Sequence, residues 1–199
     1  MTSDDRLVAR TRALPEPVDP ATVAGAALFT RADGAGLAGV GEVARVPCAE
    51  VTALLAGADV DDPIEHPDTG PVALGALPFV PDPAAPLVVP VVVVGRDEVG
   101  RGWVTTVGTT SAPPPDPASV DVAALTAPRP TAAGPGAFRV ASARPPAEWC
   151  DVVATATDRI GAGELEKVVL AREVLVEADA PIDVAAVLRR LLLGFPACY

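Results

Sequence analysis

The sequence predicts a mixed α/β (α+β) chain on three observations. Short β-branched runs bounded by glycine and proline recur through the first 110 residues. A glycine-rich turn joins two apolar segments near Arg31, and two stretches beyond Pro145 repeat apolar side chains at helical spacing.

Taken in order, residues 1–20 are polar and contain Pro15, Pro17 and Pro20, so they read as a flexible leader. Residues 21–110 form a β-rich N-terminal half. Within it, 23–30 and 37–46 are apolar stretches separated by Arg31-Ala-Asp-Gly-Ala-Gly36, the composition of a hairpin turn. A short helix is expected over 49–55. Residues 59–70 carry Asp59, Asp61, Asp62, Glu65 and Asp68 among prolines and read as a solvated loop. Strands are expected at 71–79, 87–94 and 102–108, and the valine run at 91–94 suits a strand buried on both faces.

Residues 111–136 hold seven prolines, a density typical of a surface linker rather than a sheet interior. The region 137–199 opens with Pro145-Pro-Ala-Glu-Trp149, which starts a helix carrying Trp149, Val152, Val153, Ala156 and Ile160 on one face. Gly161 and Gly163 close it. A strand over 167–176 and a last helix over 181–193, ended by Gly194, complete the reading.

Fifteen Lys+Arg against 26 Asp+Glu leave a net charge of −11, and no basic cluster exceeds Arg189-Arg190. Nucleic-acid binding by counterion release needs a basic face, so that class is excluded, and an anionic substrate needs a local site or a metal. The longest apolar run, 87–94, is too short to span a bilayer, no secretory signal is visible, and the expectation is a soluble cytoplasmic protein. Cys48, Cys150 and Cys198 are odd in number, lack C-x-x-C spacing, and read as small core residues.

Two motifs invite chemistry and fail on context. Gly34-Ala-Gly36-Leu-Ala-Gly39 matches G-x-G-x-x-G, but residues 40–46 alternate with period two and start no helix, so a hairpin turn is preferred to a phosphate cradle. The acidic loop with the lone His66 lacks the spaced glycine and terminal glutamate of a calcium loop. One histidine and no G-x-S-x-G leave little support for a Ser-His-Asp triad.

The remaining candidate is Lys167 in Glu164-Leu-Glu-Lys-Val-Val-Leu-Ala-Arg172. It is the single lysine in a chain with 14 arginines. A lysine partly desolvated by apolar neighbours can offer a neutral amine as a base, whereas a guanidinium stays charged at any accessible pH. The ordinary alternative is an edge lysine reaching to water.

That string, with Trp149 before it and Ala180-Pro-Ile-Asp183 and Phe195-Pro-Ala-Cys-Tyr199 after it, resembles the chorismate-utilising enzymes, most closely the isochorismate synthases. Phe29-Thr-Arg-Ala-Asp-Gly34, Gly36-Leu-Ala-Gly-Val-Gly41 and Gly70-Pro-Val-Ala-Leu-Gly-Ala-Leu-Pro-Phe79 are similar to their N-terminal half. The resemblance implies the N-terminal part of that family's fold, mostly antiparallel sheet with flanking helices, with 137–199 as the start of the chorismate-binding catalytic region. It further implies a magnesium-dependent isomerase acting on chorismate. Water adds at one ring carbon while a hydroxyl leaves from another, and Lys167 is the general base. The ammonia-using members usually carry Gln at this position, while salicylate synthases share the lysine. The product would serve menaquinone or siderophore biosynthesis. The family's general acid, in a Gly-Ala-Ser-Pro-Glu motif, and its magnesium-binding glutamates have no match here. The expectation is therefore the first portion of a longer enzyme, inactive alone, with an unpartnered apolar face on the last helix. A salicylate synthase portion and a non-catalytic binding domain stay open.

Overall fold

The structure is a computed structural model and describes residues 5–23, 26–31, 33–127 and 134–195. In chain order they form β1 (Leu7–Leu14), β2 (Ala27–Thr30), β3 (Gly36–Val40), β4 (Ala44–Pro47), α1 (Cys48–Ala56), β5 (Asp59–Asp61), β6 (Pro86–Val89) and β7 (Val92–Arg96). These are followed by β8 (Gly102–Thr109), α2 (Val122–Thr126), β9 (Phe138–Ser142), α3 (Pro146–Gly161), β10 (Val174–Ala178) and α4 (Val184–Gly194). The fold is mixed α/β and mostly antiparallel, the β1–β5 pair being parallel. The chain divides into two compact units, Met1–Pro130 with Val184–Tyr199, and Thr131–Asp183.

The first unit is built on a six-stranded sheet of order β2-β3-β7-β8-β1-β5. Its centre is β8, Gly-Trp-Val-Thr-Thr-Val-Gly-Thr, buried over its first seven residues because both faces of the sheet are covered. On one face Trp103 packs with Leu37 and Val93, while Val107 packs with Leu7, Ala9 and Val89. On the other, Val94, Ala38 and Val23 form a third cluster, with Leu125 of α2 against it. Buried hydroxyls are paired, as burial requires: Thr11 and Thr105 lie 2.9 Å apart across β1 and β8, and Thr106 donates to the Pro115 carbonyl at 2.7 Å.

Several expectations are corrected. Residues 7–14, expected in a flexible leader over 1–20, form a strand of the sheet. Leu7–Leu14 alternates, with Leu7, Ala9 and Thr11 buried and Arg10 and Arg12 exposed, and pairs along its whole length with β8. The loop over 59–70 begins with a strand, β5, parallel to β1. The apolar stretch 37–46 is two strands in different sheets, parted at Gly41 (φ 74°), where β4 leaves to pair with β6. The stretch 87–94 is likewise two strands, because Pro90 has no N–H to donate and breaks the ladder. No strand forms over 71–79. Only Leu74 bridges, to Val88, and Phe79 is fully exposed between Pro78 and the turn that follows.

The proline-rich stretch is more than a tether. Pro114 and Pro117 are buried, Asp116 caps a short 3-10 turn at Pro117–Ser119, and Asp121 caps α2 by accepting the Ala124 N–H at 2.9 Å. Its residues 128–133 lie outside the described residues. The helix expected near 181–193 is α4, grouped with the first unit, and its Val184, Val187, Leu191 and Leu193 are exposed.

The second unit pairs β9 with β10 and carries α3. Pro146 opens α3, Glu148 lies in its first turn and Arg159 in its last, favourable at those ends of the helix dipole. No described residue from 134 to 183 is buried.

Candidate functional site

The path to Lys167 starts at the C-terminus of α3. Gly163 adopts a positive φ of 75°, the Gly163 N–H donates to the Ile160 carbonyl at 3.0 Å, and the Glu164 N–H donates to the Arg159 carbonyl at 3.0 Å. This pair of bonds is a Schellman termination, which asks for a left-handed residue at that one position. Arg159 Nε then donates to Glu164 Oε2 at 2.8 Å and fixes the start of the motif to the helix end.

Lys167 itself is exposed and lies in irregular chain, which corrects the strand expected over 167–176; regular pairing begins only at Val174. The reason is the partner strand. β9 ends at Ser142, Ala143 adds one more bond to the Glu173 carbonyl at 3.2 Å, and Arg144-Pro-Pro146 then turns into α3 with two residues that have no N–H. The register that remains is tied by the Arg139–Glu177 ion pair, whose members face each other across β9 and β10. Beside the lysine, Val169 is 92% exposed and Val168 is also exposed, so the apolar enclosure expected around the amine is not formed by the described residues. Lys167 makes no ion pair among them.

The other sequence candidates have structural roles. Gly34 and Gly36 form the β2–β3 turn and Gly39 lies in β3, with no helix after them, so the phosphate-cradle alternative is set aside. Asp62 of the acidic loop accepts the Ile64 N–H at 3.1 Å and the Thr69 hydroxyl. No group of three or more His, Cys, Asp or Glu among the described residues is placed to hold a metal ion. The magnesium implied by the resemblance therefore finds no oxygen-ligand set in them. Two of the cysteines are not core residues either, Cys48 being half-buried and Cys150 exposed, while Cys198 lies outside the described residues. A cluster that sequence reading missed, apart from His66, gathers Asp97, Arg101 and Trp103 around a cavity in the first unit. The signal was Asp97 and Arg101 at i,i+4 spacing across the Gly100 turn.

Comparison with known proteins bears on the lysine motif. A family model described as chorismate binding enzyme matches residues 47–199, a span that includes it. The chain is a member of the chorismate-binding enzyme family. Within the family, two Mycobacterium tuberculosis proteins, from strains CDC 1551 / Oshkosh and ATCC 25618 / H37Rv, carry the provisional name isochorismate synthase MenF. Each is 34% identical over 133 residues, 66% of this chain and 28% of the relative. The fold is that of MenF, the menaquinone-specific isochorismate synthase from Escherichia coli: the TM-score is 0.56 at 20% identity, over 94% of this chain and 45% of that one. The chain thus spans between a quarter and a half of the length of these relatives. No helix among its described residues is long and apolar enough to cross a membrane.

Proposed function

We propose that this chain is the N-terminal portion of an isochorismate synthase that converts chorismate to isochorismate with magnesium as cofactor. The observation that carries the reading is the family match through residues 47–199, which takes in Glu164-Leu-Glu-Lys-Val-Val-Leu-Ala-Arg172, joined by the likeness to the two mycobacterial relatives. In this reading Lys167 is the general base. Its amine takes a proton from water as the water oxygen bonds to a ring carbon, the ring double bonds shift, and the hydroxyl departs from another ring carbon.

The departing hydroxyl needs a proton donor, and the substrate carboxylates need positive charge in a chain of net charge −11. No group of three or more His, Cys, Asp or Glu among the described residues is placed to hold magnesium, and the sequence has no match to the family's Gly-Ala-Ser-Pro-Glu motif that carries the general acid. The reaction is accordingly assigned to a longer polypeptide, and the exposed apolar residues Val168, Val169, Val174 and Leu175 are the ones such a polypeptide would cover to enclose the amine.

The test is product analysis on the longer polypeptide with chorismate and Mg²⁺. Isochorismate should form, and Lys167→Ala should abolish it with the circular-dichroism spectrum unchanged; retained turnover removes Lys167 from the mechanism. Salicylate with pyruvate as products would move the protein to the salicylate synthases. Failure to act on chorismate at all would leave a binding domain.

A further inference from the structure

We infer that the first unit carries a binding site for a small cyclic carboxylate, in the cavity between the end of β1, the loop 62–70 and the β7–β8 turn. The inference is separate from the reading of Lys167. The cavity is about 310 Å³, at the small end of the range for ligand sites, and it suits one six-membered ring with its acid group rather than a nucleotide. Pro15, Pro17 and Ile64 supply apolar wall, and the rings of His66 and Trp103 stand beside each other with centroids 5.3 Å apart.

The polar lining is one-sided. Arg101 donates its Nε to Asp97 at 2.6 Å and makes no other ion pair among the described residues, its side chain being 68% exposed. His66 accepts the Asp68 N–H on Nδ1 at 3.2 Å, which places the proton of the neutral ring on Nε2 as a donor. The indole N–H of Trp103 meets no acceptor, but it is buried against Gly95 and is not open to the cavity. The one acid in the wall, Asp97, is saturated: its Oδ1 accepts the N–H groups of Val99 and Arg101 at 3.1 and 2.7 Å, and its Oδ2 takes Arg101 Nε. A cavity lined by a guanidinium and by no carboxylate other than the saturated Asp97 favours an anion, and a guanidinium held in place by a buried carboxylate suits a carboxylate in particular. In a chain this acidic, such a local cluster is what an anionic ligand requires.

The site is also pre-formed. The Thr69 hydroxyl proton is shared between the Asp62 carboxylate and the His66 carbonyl, the latter at 2.6 Å, the His66 N–H donates back to Thr69 Oγ1 at 3.1 Å, and the Gly70 N–H reaches Thr11 of β1 at 3.3 Å. Immediately before His66, Glu65 is held at φ 55°, a left-handed conformation uncommon for glutamate and found where surrounding contacts impose it.

The test uses the chain with Trp149→Phe, so that Trp103 alone fluoresces. Cyclohexanecarboxylate, which does not absorb at the exciting wavelength, should change the Trp103 emission saturably, and cyclohexanecarboxamide should not. Arg101→Gln should weaken the acid about tenfold or more, the loss of one charge-assisted bond, with the thermal midpoint as the check on folding. His66→Ala, in a loop braced by Thr69 and Asp62, should weaken it less. The inference is overturned by no saturable response at millimolar acid, by an equal response to the amide, or by unchanged affinity in both folded variants.

Discussion

Two tryptophans mark two different kinds of structure. Trp103 is 1% exposed in the central strand of the first unit, covered by Leu37, Val93 and the side chains of the 62–74 segment. Trp149 lies on α3 of the second unit, where no described residue is buried and Val152, Val153 and Ile160 are exposed. The first unit carries three buried clusters; the described residues of the second form a two-stranded antiparallel sheet and an amphipathic helix without one. Helices and two-stranded hairpins gain most of their stability from packing an apolar face, so the second unit should hold its shape far more weakly in this chain than the first.

The largest effect expected from that difference is in hydrogen exchange. Amides of β1, β7 and β8 should exchange only through global opening, and those of β9, β10 and α3 through local opening, slower in the first set by a factor on the order of a thousand. Exchange rates of similar magnitude in the two units would break the comparison.

Trp103→Ala comes next, at about 3–5 kcal/mol in urea unfolding followed by circular dichroism, the cost of emptying a large buried site. Trp149→Ala should cost below about 0.5 kcal/mol. Gly95→Ala probes the same packing from the opposite direction. Gly95 faces Trp103 across β7 and β8 with the indole lying on its Cα, so a methyl group there collides with the ring and should cost about 1–3 kcal/mol.

The Asp97 turn gives a smaller effect with a distinctive pH dependence. Burial pushes Asp97 up, but the bond from the Arg101 side chain, the N–H groups of Arg101 and Val99 and the Arg101 charge outweigh it, and the carboxyl sits below its ordinary value. A carboxyl depressed in the folded state stabilises fully above its unfolded pKa and loses that contribution as pH falls through the folded one. Asp97→Asn should therefore cost about 1–2 kcal/mol near pH 7, and the gap to the parent should narrow below about pH 4. A gap that is constant with pH would remove the charge from the explanation.

Much of this contrast was legible in the chain, and the exceptions have physical causes. Period-two and helical spacing located β8, α1, α3, α4 and the β2–β3 turn, because those elements satisfy their own local preferences. β1 was hidden by the prolines that follow it, though Leu7, Ala9 and Thr11 alternate with Val8, Arg10 and Arg12. The splitting at Gly41 and Pro90 is decided by which sheet each half joins, a long-range choice absent from the local pattern. The lysine motif was legible as a string of residues, but its conformation was not, since a strand needs a partner and β9 runs out at Arg144-Pro-Pro146. Of the cavity only the Asp97–Arg101 spacing was legible: its walls come from residues 13–17, 64–66 and 97–103, which only the sheet brings together.

The smallest effect expected in this chain is at the residue assigned the most chemistry. Lys167 is exposed, outside any strand, and without an ion pair among the described residues, so Lys167→Ala should change unfolding stability by less than about 0.5 kcal/mol. Set beside the loss of turnover expected from the same substitution in the longer polypeptide, a near-zero stability change separates a group kept for a proton transfer from one kept for packing. A cost above about 1 kcal/mol in urea unfolding would place the lysine stem in a packed environment within this chain, and would erase the contrast between the two units at the point where it matters most for the reaction.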